Sequence, residues 1–519
     1  MRRLLLLAAI LTVSAAPSAP LSARADDAVE QVPQLIQSGK LEEARSLLTA
    51  YLKGHPTRPD ALTLLGVVEA QQGNYRRAEA CFHKALAADP RFVGAYLNLG
   101  RLYEENPQKD PEAWKKGAAV YDQLLEFDPS SQEGYYQSAL LRLRLGRYQE
   151  SLDRLAHLPR ESQERAQALA VRCGDYAGLG QPNKAEQAAD QMLGSADIAE
   201  ADVTTILPVL AARKNMALSL KLLEGLETRN LATFDSLYSL GLLYQETGRL
   251  PEARRALESA IQFRPNSATT LLELARVANA EKDNTGALGY LAHARELEPN
   301  NAAIYFFWGM VAIEQDLSEE AYQSLKKAVA IAPHNAWYNY AFGVVAMQRE
   351  NASESIPYLR KYCELRPHDL RGRLALGVGY FNSHEEEQAA QILSSISSDP
   401  ATAAGANFFL ARISNHRGQY PAALDHLHRA LQAQPNYAEA YAELGSIHIK
   451  RKEYPQAEEA LDKALQLNPS SYGGNLNLLI LYQRTNNPKA NEQAKRFEQV
   501  KAERDDRAKE FLRTIEVRP

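Results

Sequence analysis

Phe234–Ser267 reads FDSLYSLGLLYQETGRLPEARRALESAIQFRPNS, and these 34 residues decide the fold. Leu237, Leu240, Gly241 and Tyr244 recur at i, i+3, i+4 and i+7, the spacing of one helical face. Gly248 can enter the left-handed conformation that ends a helix, which a side chain would disfavour. Pro251 falls in the first turn of a second helix, where its missing N–H leaves no bond unmade. Ala253, Leu257 and Ala260 face back toward the first helix, and the small Gly241 and Ala253 let the two backbones approach. Pro265 stops the second helix, and Asn266-Ser267 offers an N-cap for the next one. The stretch predicts an antiparallel helix pair that hands over to another.

The pattern recurs along the chain. Pro265, Pro299, Pro333 and Pro367 are spaced by 34 each time. Gly66, Gly100, Gly241, Gly309, Gly343, Gly377 and Gly445 share one slot, and Ala44, Ala78, Ala253, Ala287, Ala321, Ala389, Ala423 and Ala457 another. Leu240-Gly241, Tyr244, Gly248, Ala253, Leu257, Ala260 and Pro265 resemble the tetratricopeptide repeat signature, and the resemblance covers nearly all of the chain beyond residue 25. It implies an all-α, right-handed superhelical solenoid of about fourteen antiparallel helix pairs. A stack of pairs needs a polar end, which the densely charged Lys489–Arg513 provides as a capping helix.

Residues 1–25 read as a signal peptide. Arg2-Arg3 precedes the apolar run Leu4–Val13, and Ala23-Arg24-Ala25 supplies the small-residue cleavage pattern. A helix that short would reach only about 15 Å, half a bilayer core, so the expectation is an exported, periplasmic or secreted chain with no membrane span. Residues 26–158 form an N-terminal block with extra residues within Asn106–Glu112. Residues 159–231 are degenerate, with Pro208 inside a helix; this is either repeat drift or a hinge. Residues 232–487 form a regular C-terminal block, and 488–519 the capping helix and tail.

Of the 519 residues 45% are hydrophobic and 24% charged, with formal charge −5. That is a folded composition, and it excludes a strongly basic nucleic-acid binder. Three cysteines exclude a disulfide scaffold; Cys81, Cys173 and Cys363 lie in well-separated units and are expected as free, largely buried thiols. His426 and His428, two apart on a helix, point to different sides. No phosphate loop, dinucleotide fingerprint or nucleophile elbow occurs, so neither a cofactor nor catalysis is expected.

Function is sought on the first helices, whose second stripe, by the resemblance, lines a concave groove. In three successive units that stripe is Ala303, Phe306, Met310, Ile313; then Trp337, Tyr340, Val344, Met347; then Arg371, Leu374, Val378, Phe381. Its flanking units, Thr269, Leu272, Arg276, Asn279 and Gly405, Phe408, Arg412, Asn415, are mixed. A contiguous apolar patch marks a contact site, so Phe306–Phe381 is the candidate groove for an apolar or aromatic segment of a partner. The competing reading is that neighbouring first helices pack together and bury the stripe. The Lys/Asn/Arg set of chaperone-tail clamps and the asparagine ladder of sugar-transferase arrays are both missing. The expected function is an exported, non-catalytic scaffold for protein or peptide partners. The alternative is a periplasmic assembly component of an envelope or polysaccharide-export machine. Oligomeric state is not legible.

Overall fold

The computed structural model describes residues 29–347 and 352–502. Among these no strand occurs; antiparallel α-helix pairs follow one another through the chain. The signal-peptide reading of residues 1–25, and the part of the capping helix and tail beyond residue 502, lie outside the described residues.

Phe234–Glu246 and Leu250–Phe263 form the pair predicted from the decisive stretch. Gly248 joins them at φ 75°. A Cβ on Gly241 would stand 2.6 Å from Leu257 Cγ, so only a residue without a side chain lets these helices meet at their present distance. Leu237, Leu240, Tyr244, Ala253, Leu257 and Ala260 are all buried. The predicted cap at Ser267 forms, and Asn301 and Asn335 cap the next two first helices in the same way. Ser267 Oγ accepts from the N–H of Thr270 at 3.3 Å, Asn301 Oδ1 from Ala303 at 3.0 Å, and Asn335 Oδ1 from Trp337 at 3.0 Å.

The left-handed turn outlasts the glycine that marks it in sequence. Lys214, Lys282, Asp316, His384 and Lys452 take φ between 54° and 67° at the same place in their own units. The cost at a non-glycine residue is about 1–2 kcal/mol, small beside the apolar burial that each pair secures. Residues 159–231 therefore hold two ordinary pairs, Ala166–Gly178 with Pro182–Gly194 and Glu200–Ala212 with Met216–Thr228, turning at Gly180 and Lys214. A short extra helix, Arg160–Gln163, precedes them, and Pro208 is accommodated within its helix. The inserted segment also falls where expected, between Val93–Glu105 and Ala113–Phe127.

The chain divides into two compact units at Phe263/Arg264. That boundary lies inside the block read as regular, and 159–231 belongs wholly to the first unit. In the second unit the last pair is Tyr472–Arg484 with Ala490–Ala502; Phe497 and Val500 are buried, and the Phe497 ring lies 5.1 Å from that of Tyr472. No helix among the described residues is long and apolar enough to cross a membrane.

Candidate partner-binding surface

The ten candidate residues all lie in the second unit and separate into two groups. Phe306, Met310 and Ile313, on helix Ala302–Glu314, are partly exposed. They pack against the next first helix, Ala336–Ala346, in a cluster with Tyr322, Leu325, Phe342 and Val345. The Phe306 and Tyr338 rings stand 4.8 Å apart. Trp337 is also partly exposed, while Tyr340 (1% exposed), Val344 (0%), Met347, Leu374, Val378 (0%) and Phe381 are buried in one larger cluster.

The expectation of an open apolar wall from Phe306 to Phe381 is thus corrected. Its six innermost members are core, and the packing of neighbouring helices that competed with the groove reading is what those six show. Glycines outside the repeat's usual glycine slot make this happen. A Cβ on Gly379 would meet Ser355 Oγ at 3.1 Å and Met347 Sδ at 3.4 Å, and one on Gly405 would meet Leu374 Cδ2 at 3.1 Å. The following helices close down onto the stripe at these points. Gly379 and Gly405 were the signal in the sequence that could have revealed it.

What stays accessible is centred on two aromatic sites. The first is helix Ala302–Glu314, where Tyr305, Phe306, Phe307 and Trp308 occur in succession and each is partly exposed. A helix that is apolar all round must find cover on every side, and arginines from the preceding pair supply some. The guanidinium of Arg276 sits 5.4 Å from the Phe307 ring and that of Arg295 sits 4.6 Å from Trp308. Tyr305 donates its hydroxyl to Pro299 O at 3.1 Å. Of these four aromatics only Phe306 falls on the predicted stripe.

The second site is Trp337. Its ring lies 5.8 Å from Tyr362, with Arg371 at 5.4 Å and Arg366 at 5.9 Å. Arg371 is committed elsewhere: its Nε and Nη2 donate to the two oxygens of Asp369 at 3.0 and 2.8 Å, and Asp369 also accepts from the Tyr362 hydroxyl. The Arg371 guanidinium holds the Asp369 carboxyl down to about 2, against its partial burial. Trp337 therefore presents a ring on a rigid polar frame.

Among the described residues no group of three or more His, Cys, Asp or Glu is placed to hold a metal ion. A cleft of about 720 Å³ opens where the inserted turn lies against Gly73–Glu79. Within it Lys116 Nζ donates to Asp110 at 2.6 Å and Tyr103 to Glu79, Lys109 lies 5.7 Å from the Tyr75 ring, and Arg76 and Arg77 also line it. Cys81 and Cys363 are half-buried and Cys173 is buried, all as free thiols.

Tetratricopeptide repeat models match residues 35–99, 416–490 and 238–302. The rhomboid protease GluP of Bacillus subtilis (strain 168) is 32% identical over 77 residues, which is 15% of this chain and 15% of that protein; the match thus spans a small part of either length. Among solved structures, a chain of the APC/C hetero-tetramer Cut9-Hcn1 is 14% identical at TM-score 0.41, covering 88% of this chain and 96% of that one. YrrB, described as a TPR protein with an unusual peptide-binding site, is 21% identical at TM-score 0.27, covering 42% and 95%. The helix pairs, their close-packed glycines and these sequence matches agree that the chain carries tetratricopeptide repeats in both of its compact units.

Proposed function

We infer that this protein is an exported, non-catalytic scaffold that holds protein or peptide partners on the first-helix face of its second unit. The observation that carries the reading is the run Tyr305–Trp308 together with Trp337: five aromatic rings on successive first helices, each left partly exposed by its neighbours. Large aromatic side chains dominate contact energies, and a half-covered ring gains most from a partner that completes its burial. Export is supported by the Arg2-Arg3, Leu4–Val13 and Ala23–Ala25 pattern.

The test replaces Phe306 and Trp337 with serine together, sparing the buried Tyr340. The double variant should keep its helical content and lose the partners that the parent chain retains from the exported fraction. Undiminished capture by a folded variant would dismiss the surface. Fractionation of the tagged chain checks export: recovery from the cytoplasm alone would refute it, and co-fractionation with an envelope complex would favour the assembly-component reading.

A further inference from the structure

Arg412, on helix Ala403–His416, occupies the same register on its first helix as Met310, Val344 and Val378 on theirs. Arg295 and Arg366 in this unit also lie against a ring with no ion pair among the described residues, but against one ring each, Trp308 and Trp337, whereas other arginines of the unit are held by acids. Arg371 is paired with Asp369, Arg276 with Glu273 at 3.6 Å, and Arg417 with Glu386 at 3.2 Å. The Arg412 guanidinium, among the described residues, joins no ion pair and donates no hydrogen bond. It rests instead on three phenyl rings: Phe381 at 4.7 Å, Phe409 at 5.8 Å and Phe408 at 5.9 Å. All three rings are buried and they brace one another edge to face, Phe381 to Phe409 at 5.5 Å and Phe408 to Phe409 at 5.2 Å.

Tyr437, at the N-cap of the next first helix, feels both the Arg412 cation and the Glu439 anion, but no carboxylate among the described residues pairs with Arg412. Glu443, on the next first helix, Ala438–Lys450, accepts from Asn415 Nδ2 rather than from Arg412. Lys450 donates to the same Asn415 at 2.8 Å, adding a second cation to this surface. His416 turns to Glu386 at 3.1 Å.

We propose that Arg412 is the anchor for a carboxylate side chain, Asp or Glu, within a partner segment lying across the first-helix face. This rests on the scaffold reading and assigns the partner's chemistry. A guanidinium fork accepts a carboxylate through two parallel hydrogen bonds. Fixed on a stack of buried rings, it loses little freedom on binding, and its apolar pedestal weakens the screening that makes most surface ion pairs nearly worthless.

The experiment selects binders from a displayed library of random twelve-residue peptides, using the mature chain and its Arg412→Met variant as separate baits. Selected sequences are then synthesised with amidated C-termini, so that only side-chain carboxylates remain. Binders of the parent chain should share an acidic column, and changing that residue to Asn or Gln should weaken binding roughly ten- to hundredfold. Arg412→Met should cause a similar loss that is not additive with the peptide change, and Arg412→Lys a smaller one. Unchanged melting of both variants separates lost binding from lost fold. Binders that lack the acidic column, or keep it against Arg412→Met, overturn the anchor; if they compete at Phe306 and Trp337, the scaffold reading survives. A library that yields no binders counts against both.

Discussion

Asp175 sits on helix Ala166–Gly178 with no exposed surface, and neither carboxylate oxygen has a hydrogen-bond partner. Ser151, on the facing helix Tyr148–Leu155, stands beside it, but its hydroxyl donates to Ala139 O at 2.8 Å. Burial pushes the Asp175 carboxyl up to about 8, with the nearby Ser151 hydroxyl pulling the other way. In the unfolded chain the group titrates near 3.9. The folded state thus binds the proton more tightly. Its contribution is fully present below about pH 4 and is lost as the pH rises toward about 8. At pH 7 the folded carboxyl is still largely neutral while the unfolded one has ionised about three units earlier. The difference is roughly 4 kcal/mol, a ceiling because water entering between the helices would relieve it. Asp175→Asn removes the titration and keeps the shape. Hydrogen exchange of the Ala166–Gly178 amides, corrected for intrinsic rates, reads the local opening energy from pH 5 to 8. The parent helix should become easier to open with each pH unit while the variant stays level, the two converging at the acid end. Parallel profiles for both proteins would refute the account of a buried, unpartnered acid.

Other outcomes follow from packing. Gly309→Ala places a Cβ about where Leu325 Cγ lies only 2.6 Å away; overpacking of about 1–3 kcal/mol exceeds the helix-propensity gain of about 1, so the melting temperature should fall, and a rise would contradict the close approach. Tyr340→Ala empties a fully buried site and should cost about 3–5 kcal/mol, whereas Phe306→Ser, at a partly exposed ring, should cost much less; equal losses in denaturant melts would show the two groups were wrongly separated. Burial raises the Cys173 thiol to about 12 and that of Cys363 to about 11, so both should resist iodoacetamide at neutral pH until the chain is unfolded. Rapid labelling of the native protein would contradict their burial.

The helix pairs were legible because a few small residues do work that no other residue type does as well. Gly241 and Gly309 mark where two helices touch, and Gly248 marks a turn. Lys282 and Asp316 hid the same turn, since a modest local penalty is overridden by the packing of the pair. The candidate surface was only half legible. Periodicity placed Phe306 and Trp337 on the right face, but exposure depends on how closely the next helix approaches. That distance is set by Gly379 and Gly405, residues outside the repeating slots. Arg412 read as one polar letter in a mixed stripe; its lack of a carboxylate partner is a property of neighbours far along the chain. Asp175 was invisible for the same reason.

The most direct test of the scaffold claim is site-specific photocrosslinking in the native cell. The photoreactive residue is placed in turn at Phe306, Trp337 and Arg412, and at Gln323 and Arg429 on exposed positions of second helices. Adducts to the same partner at the three first-helix positions, and none at the other two, are the predicted result. Adducts confined to Gln323 and Arg429 would place the working surface on the opposite side and contradict it.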